Sequence, residues 1–286
     1  MGIDFDQQGL RRGYRNDNHS LRSLCGRRIV RLLVSLGLVM SSVTAFALDH
    51  EYAALNELLA KHVKWDAKGV ASAVDYAGFA RDQPKLDTVT QEMSAVTRAQ
   101  YNQFSRDRKL AFLINAYNAF TIQLILTKYP DLKSIKDLGS LFRSPWKKNF
   151  FKLLDDDRNL DWIEHTMIRA PGVFGEPRIH FVVNCASIGC PALRPEAMIA
   201  SRLNAQLADS TRRFFSDRSR NRFDATSGEL QVTKLLDWYG EDFRPEKKFL
   251  ATYAKQLADS AADQARIRSG DFSISFLDYD WTLNRQ

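Results

Sequence analysis

Cysteine is scarce in this chain, with three in 286 residues, at positions 25, 185 and 190. That excludes a disulfide-dense scaffold. Basic stripes interleaved with aromatics are missing, so nothing points to a nucleic-acid partner. Internal repeats and low-complexity tracts are missing as well, which excludes a repeat array. The acidic run Asp155-Asp156-Asp157 lacks the alternating ligands and closing glutamate of a calcium loop and reads as a solvated turn. Strands and helices follow one another without a regular βαβ rhythm, so the expected architecture is a single mixed α+β domain.

What is present begins with a leader. Arg22, Arg27, Arg28 and Arg31 precede an apolar stretch from Leu32 to Met40 and an Ala45-Phe46-Ala47 cleavage pattern. Residues 1–47 therefore read as a signal peptide with a polar N-terminal extension, and the brief apolar core makes a transmembrane anchor the weaker reading. Cys25 stands before the apolar stretch, whereas a lipid-modified cysteine would follow it, so no membrane attachment is expected after cleavage. The leader carries seven arginines and three aspartates; removing them from the totals of 41 and 34 leaves 34 basic and 31 acidic residues, close to balance. The expected location is periplasmic or secreted, where Cys185 and Cys190 can oxidise.

From Leu48 onward the chain is long enough to bury a core. Residues 48–104 read as an N-terminal helical cover. An amphipathic helix over Glu51 to Val63 is followed by a loop over Arg81 to Thr90, marked by Pro84, and by a helix around Gln91 to Phe104. Residues 105–286 read as the main domain, with Leu110 to Leu126, apolar almost all round, as a buried central helix packed on a small, mostly antiparallel sheet. Asn115 and Asn118 are three apart and share one face of it. Buried carboxamides need partners, so these two either bond nearby loop backbone or line a pocket.

Further along, Asn149 to Leu154 reads as a strand, and Asp161 with Glu164 as a capping box that starts a helix through Arg169. Arg178 to Asn184 alternates and is rich in β-branched residues, which predicts a buried strand with His180 in its middle and Cys185 at its exit. On a strand His180 would side with Val182 and Asn184, away from Cys185. A helix is expected from Pro195 to about Phe215. After it come a hairpin joining Arg222–Ala225 to Glu229–Thr233, a helix near Lys248 to Ala262 and a last strand over Ser273 to Leu277.

These residues resemble a known family, the domain of unknown function DUF547. The likeness rests on Ala111-Phe112-Leu113-Ile114-Asn115-Ala116-Tyr117-Asn118-Ala119, Ile163-Glu164-His165, Arg169, Pro177-Arg178-Ile179-His180-Phe181, Asn184-Cys185, Cys190-Pro191 and the Tyr279-Asp280-Trp281 tail, over roughly Ser105 to Asn284. It implies an exported bacterial protein of unsettled function. Plant members carry a leucine zipper ahead of the domain, and no such heptad run is present here.

Three chemistries fit the cluster of sulfur, imidazole and amide. Cys185 and Cys190 can form a disulfide, giving a non-catalytic binding module of the cell envelope. A Cys/His pair can perform acyl chemistry on amide or ester bonds of envelope peptides. Cys190 or Cys185 would be the nucleophile, His180 or His165 the base, Glu164 or Asp280 the orienting group, and N–H groups of Ala186 to Gly189 the oxyanion donors. Alternatively His165, His180, Cys185 and Cys190 hold a metal, although Cys-x4-Cys is loose for zinc. Arg169 and Arg178 could receive a carboxylate or phosphate, or Arg169 could cap its helix. The predicted pocket joins Asn115, Asn118, Glu164, Arg169, Arg178, Asn184 and Asp280 to the cysteines and histidines, with His165 or His180 in hydrogen-bond reach of a cysteine or of Asn115 or Asn118. No cofactor is expected. The expected ligand is a small molecule or peptide of the cell envelope, and the oligomeric state stays open.

Overall fold

The computed structural model describes residues 48–140 and 143–286, and the leader expected over residues 1–47, Cys25 included, lies outside them. The expected central helix is present as α5, Arg106–Leu126, buried without interruption from Leu110 to Ile122. Ser105 starts it by accepting a hydrogen bond from the Arg108 N–H at 3.3 Å, in the manner of an N-cap. Ser105→Ala should lower stability by about 1 kcal/mol, read as a small drop in the thermal midpoint with no change in helical content.

Around α5 lie α1 (Ala53–His62), α2 (Tyr76–Arg81), α3 (Gln83–Ser94) and α4 (Arg98–Gln103). The loop expected over Arg81 to Thr90 is instead the first half of α3, because Pro84 sits in the first turn. There proline loses no helical hydrogen bond and its fixed φ suits the helix, so it marks a start where the sequence suggested a break.

The sheet is fragmentary, which corrects the expected single sheet under α5. β1 (Val63–Trp65) pairs with β2 (Ser72–Val74), and β3 (Phe151–Leu153) with β4 (Asp156–Arg158), both antiparallel. The acidic run expected to be a turn is therefore largely the second strand of a hairpin. In the third sheet, β5 (Arg222–Asp224) pairs antiparallel with β6 (Glu229–Val232), and β6 pairs parallel with β7 (Ser273–Phe276). α5 packs mainly on α2, α3 and the irregular helices that follow, not on a sheet. The secondary structure is still mixed helix and sheet, as expected.

Among the described residues two apolar cores form. The larger surrounds α5; the smaller gathers Phe181, Phe214, Phe215, Leu230, Val232, Leu236, Phe243 and Leu250. The strand expected over Arg178 to Asn184 instead opens as a 3-10 helix, Pro177–Phe181, with Ile179 in the first core and Phe181 in the second. A strand would turn residues two apart to the same side, whereas a three-residue turn sends them apart, so the segment that must reach both cores coils.

The helix expected from Pro195 begins as α6 only at Leu203, and runs to Phe215. Met198 gives its N–H and C=O to Asn115, while Gln206 serves the Ile199 N–H and the Ala197 C=O. With side chains meeting these backbone groups, 197–199 stays extended at no hydrogen-bond cost. α7 (Leu235–Trp238) follows β6, and the helix expected near Lys248 to Ala262 is three short ones, α8 (Glu246–Ala251), α9 (Ala254–Leu257) and α10 (Ala261–Ser269).

Candidate functional site

At the seam between the two cores a cavity of about 220 Å³ opens to solvent. α5 contributes Tyr117, and a wide helical turn over Trp162–Ile168 contributes Glu164 and His165, with Asp161 just ahead of it. The Pro177–Phe181 turn supplies His180, α7 and its end supply Leu235, Trp238 and Tyr239, and the C-terminal tail brings Tyr279 and Trp281. Ser144, Trp146, Val183, Cys185, Cys190 and Pro191 complete the wall.

The Trp162–Ile168 turn is a π-helix, with the Arg169 N–H bonded to the Glu164 carbonyl five residues back at 2.9 Å. The expected capping box is not formed. Asn159 takes that part by accepting from the Trp162 N–H at 2.8 Å. Glu164, released from capping, is 5 % exposed and faces the cavity. Burial, and then the charge and hydrogen bonding of Glu164, push the Tyr117 and Tyr239 phenols well above their usual range, so both stay protonated donors near neutral pH.

Behind the cavity wall lies a chain of charges. His180, its ring stacked on Tyr239 at 4.2 Å, donates through Nε2 to Asp242 Oδ2 at 2.6 Å. Arg169 Nε donates to the same oxygen at 2.5 Å, and its guanidinium lies 4.6 Å from the Tyr239 ring centroid. Burial raises the Asp242 pKa, but hydrogen bonds from His180 and Arg169 outweigh that and hold it at about 2. Arg169 Nη1 also reaches His165 Nδ1 at 2.6 Å. A guanidinium only donates, so His165 Nδ1 is the acceptor and its proton sits on Nε2, toward Asp161 at 3.7 Å.

Cys185 and Cys190 are joined in a disulfide. The loop between them is held by carboxamides. Asn118 accepts from the Asn184 N–H at 2.9 Å and donates to the Val182 carbonyl at 2.9 Å. Asn184 in turn donates to the Pro191 carbonyl at 2.7 Å and accepts from the Ala186 N–H at 2.9 Å. That last bond spans a turn in which Ala186 takes φ 62°, a left-handed conformation that costs a residue with a Cβ and needs such support.

The structure thus brings Cys185, Cys190, His165, His180 and Glu164 to one cavity, but Asn115, Asn118 and Asn184 lie behind it as backbone clamps. Neither histidine bonds a cysteine or an α5 carboxamide, contrary to the expected geometry; their partners are Asp242 and Arg169. Arg178 pairs with Glu176 Oε1 at 2.7 Å, and Arg169 is committed to Asp242 and His165, so neither is offered to an anion in the cavity. The Asp280 carboxylate accepts from the Thr282 N–H at 2.8 Å and lines a neighbouring depression, so it orients neither histidine. Three of the four proposed oxyanion donors are also engaged: Ala186 N–H with Asn184, Ile188 N–H with the Thr282 carbonyl, Gly189 N–H with the Asp280 carbonyl. With its sulfurs bridged, the set His165, His180, Cys185 and Cys190 does not make a metal cluster, and among the described residues no other such group is present.

Sequence reasoning missed Asp242, Tyr239, Tyr117, Trp238 and Trp146. Asp242 sits in a short 3-10 turn, Gly240–Phe243, with no local pattern to single it out.

Residues 101–215 match the family model described as "Protein of unknown function, DUF547". The resemblance read from the motifs is therefore shown for that segment, which holds α5, the π-helix, the His180 turn and the disulfide loop. The match stops short of Tyr239, Asp242 and the Tyr279-Asp280-Trp281 tail. Among curated proteins no match is found, nor is one found among solved structures.

Proposed function

We propose that this chain is an exported, disulfide-stabilised, non-catalytic binding module of the cell envelope, and that the cavity at the core seam takes a small molecule or a short peptide segment carrying an amine or several hydroxyls. The observation that carries this reading is the character of the wall. Trp146, Trp238, Trp281, Tyr239 and Tyr279 line it with aromatic rings, Trp281 already carrying Lys136 Nζ at 3.8 Å and Tyr239 the Arg169 guanidinium; Asp161 and Glu164 offer carboxylates, and among the described residues no lysine or arginine is in the lining. Such a wall favours a ligand that stacks on aromatics and presents hydrogen-bond donors or a cation over one that is anionic. Trp238, 44 % exposed and stacked beside Trp281 at 5.6 Å, forms an accessible rim.

The bridged sulfurs weigh against the thiol hydrolase, because the nucleophile would be a thiolate. Export is supported by the leader pattern and by the disulfide, which persists in oxidising compartments.

The test is calorimetric titration of the mature chain with soluble peptidoglycan fragments that bear a free amine, alongside their N-acetylated forms. Binding of the amine-bearing fragments should weaken at least about tenfold in Trp238→Ala, a typical anchor loss, and also on N-acetylation. Absence of binding, or equal affinity for parent and Trp238→Ala, rejects the proposal.

A further inference from the structure

The disulfide is unusual in its surroundings rather than in its existence. Both cysteines face the cavity, Cys185 half-buried and Cys190 3 % exposed. Cys190 Sγ accepts from the Cys185 N–H at 2.8 Å and from the Tyr279 hydroxyl at 3.1 Å, and Cys185 Sγ lies 3.1 Å from the same Tyr279 hydroxyl and 3.3 Å from the Ser187 hydroxyl. The Ser187 hydroxyl donates to Tyr279 at 3.2 Å, and Arg220 donates to the Cys190 carbonyl. Burial raises the Tyr279 pKa well above its usual value, so the phenol keeps its proton and remains a donor. A bridged sulfur needs no such donors. A sulfur that becomes a thiolate does, since a buried anion is stable only where hydrogen bonds replace water.

We propose that the Cys185–Cys190 disulfide is an exchange centre for small thiols that enter the cavity, with Cys185 as the attacked sulfur and Cys190 as the leaving thiolate. An external thiolate forms a bond to Cys185 Sγ as the Cys185–Cys190 bond breaks, and the electron pair of that bond moves to Cys190 Sγ. The resulting thiolate stays where the Cys185 N–H and the Tyr279 hydroxyl already point. A second thiolate attacks the mixed disulfide at the external sulfur, releasing the oxidised small molecule and leaving both cysteines reduced. Two external thiols thus supply the two electrons. In the reverse direction the Cys190 thiolate displaces the small thiol from Cys185 and closes the bridge. The asymmetry follows from access and from the backbone donor: the more exposed sulfur meets the nucleophile, and the buried one carries the Cys185 N–H, while the Tyr279 hydroxyl stands at 3.1 Å from both sulfurs and turns to whichever bears the charge. None of this depends on which ligand the aromatic rim binds.

The probe is reduced glutathione. The folded, oxidised mature chain is incubated with it at neutral pH, quenched in acid, unfolded, alkylated with N-ethylmaleimide and mapped by peptide mass. The expected product carries glutathione on Cys185 and maleimide on Cys190. In Tyr279→Phe the first exchange step should slow about tenfold, the worth of one hydrogen bond to a charged sulfur, with the circular dichroism spectrum unchanged. Glutathione on Cys190, or exchange no faster than global unfolding in the unsubstituted chain, overturns the proposal whether or not the variant folds. A folded Tyr279→Phe that exchanges at the parent rate overturns the role of the phenol.

Discussion

Asp242→Ala should lower the free energy of unfolding by about 3–5 kcal/mol, because it strips the shared partner from two positively polarised groups at once. His180 has a side chain 1 % exposed and Arg169 one 19 % exposed, and both point at Asp242 Oδ2. Without the carboxylate, the guanidinium keeps only His165 and the ring of Tyr239, and the imidazole N–H of His180 has no acceptor. Asp242→Asn keeps the shape and one acceptor oxygen, and should cost less, about 1–2 kcal/mol. Urea unfolding at neutral pH measures both. A loss below about 1 kcal/mol for the alanine variant would show that Asp242 is a surface pair and not the anchor of the His180 turn. The same carboxylate sets an acid limb. Its folded pKa of about 2 lies below the ordinary 3.8, so its contribution is fully present above about pH 4 and is lost as the pH falls toward 2. Over that window the parent should lose stability more steeply than Asp242→Ala does.

Asn118→Ala should cost about 2–4 kcal/mol, since it orphans the Val182 carbonyl and the Asn184 N–H, both deep in the fold. The effect should also reach the cavity. Asn184 depends on that clamp to hold Pro191 and Ala186, and through them the two ends of the disulfide loop. Amide exchange at Asn184 and Ala186 should rise in Asn118→Ala well before global unfolding. Asn115→Ala is the control: it should lose similar stability, because Asn115 clamps Met198 in the same two-handed way, yet leave exchange at the disulfide loop unchanged. Loosening of that loop in both variants would assign the effect to α5 as a whole and remove the specific role given to Asn118.

The parts of the fold legible in the sequence are those specified by neighbours along the chain. α5 was evident because Leu110 to Leu126, apolar almost all round, is a local pattern. The β5–β6 hairpin was evident because Ser227-Gly228 separates two strand-like runs; in the structure Gly228 takes φ 70°, which glycine adopts freely. Asn115 and Asn118 were recognisable as buried carboxamides in need of partners, and the reading in which they serve loop backbone matches their bonds to Met198, Val182 and Asn184. Errors arose where a residue's local signal competed with a distant demand. Pro84 looks like a breaker and acts as a helix start. Asp161 and Glu164 have capping-box spacing, but Asn159 caps the turn, and the π register leaves Glu164 to face Tyr117 and Tyr239. The alternation from Arg178 to Asn184 has strand character, but two separate cores pull Ile179 and Phe181 in opposite directions.

The sequence by itself determined the mixed helix and sheet character, the buried central helix and the likeness to DUF547 that the 101–215 match sustains; that Glu164, His165, His180, Cys185 and Cys190 are the named candidates that line the cavity was decided by the tertiary structure. Their partners were decided only by tertiary structure. Asp242 is 62 positions from His180, and Tyr279 is 89 from Cys190; no spacing rule links such residues, because hydrogen bonds and charge pairs act over a few ångströms of space whatever the length of chain between them.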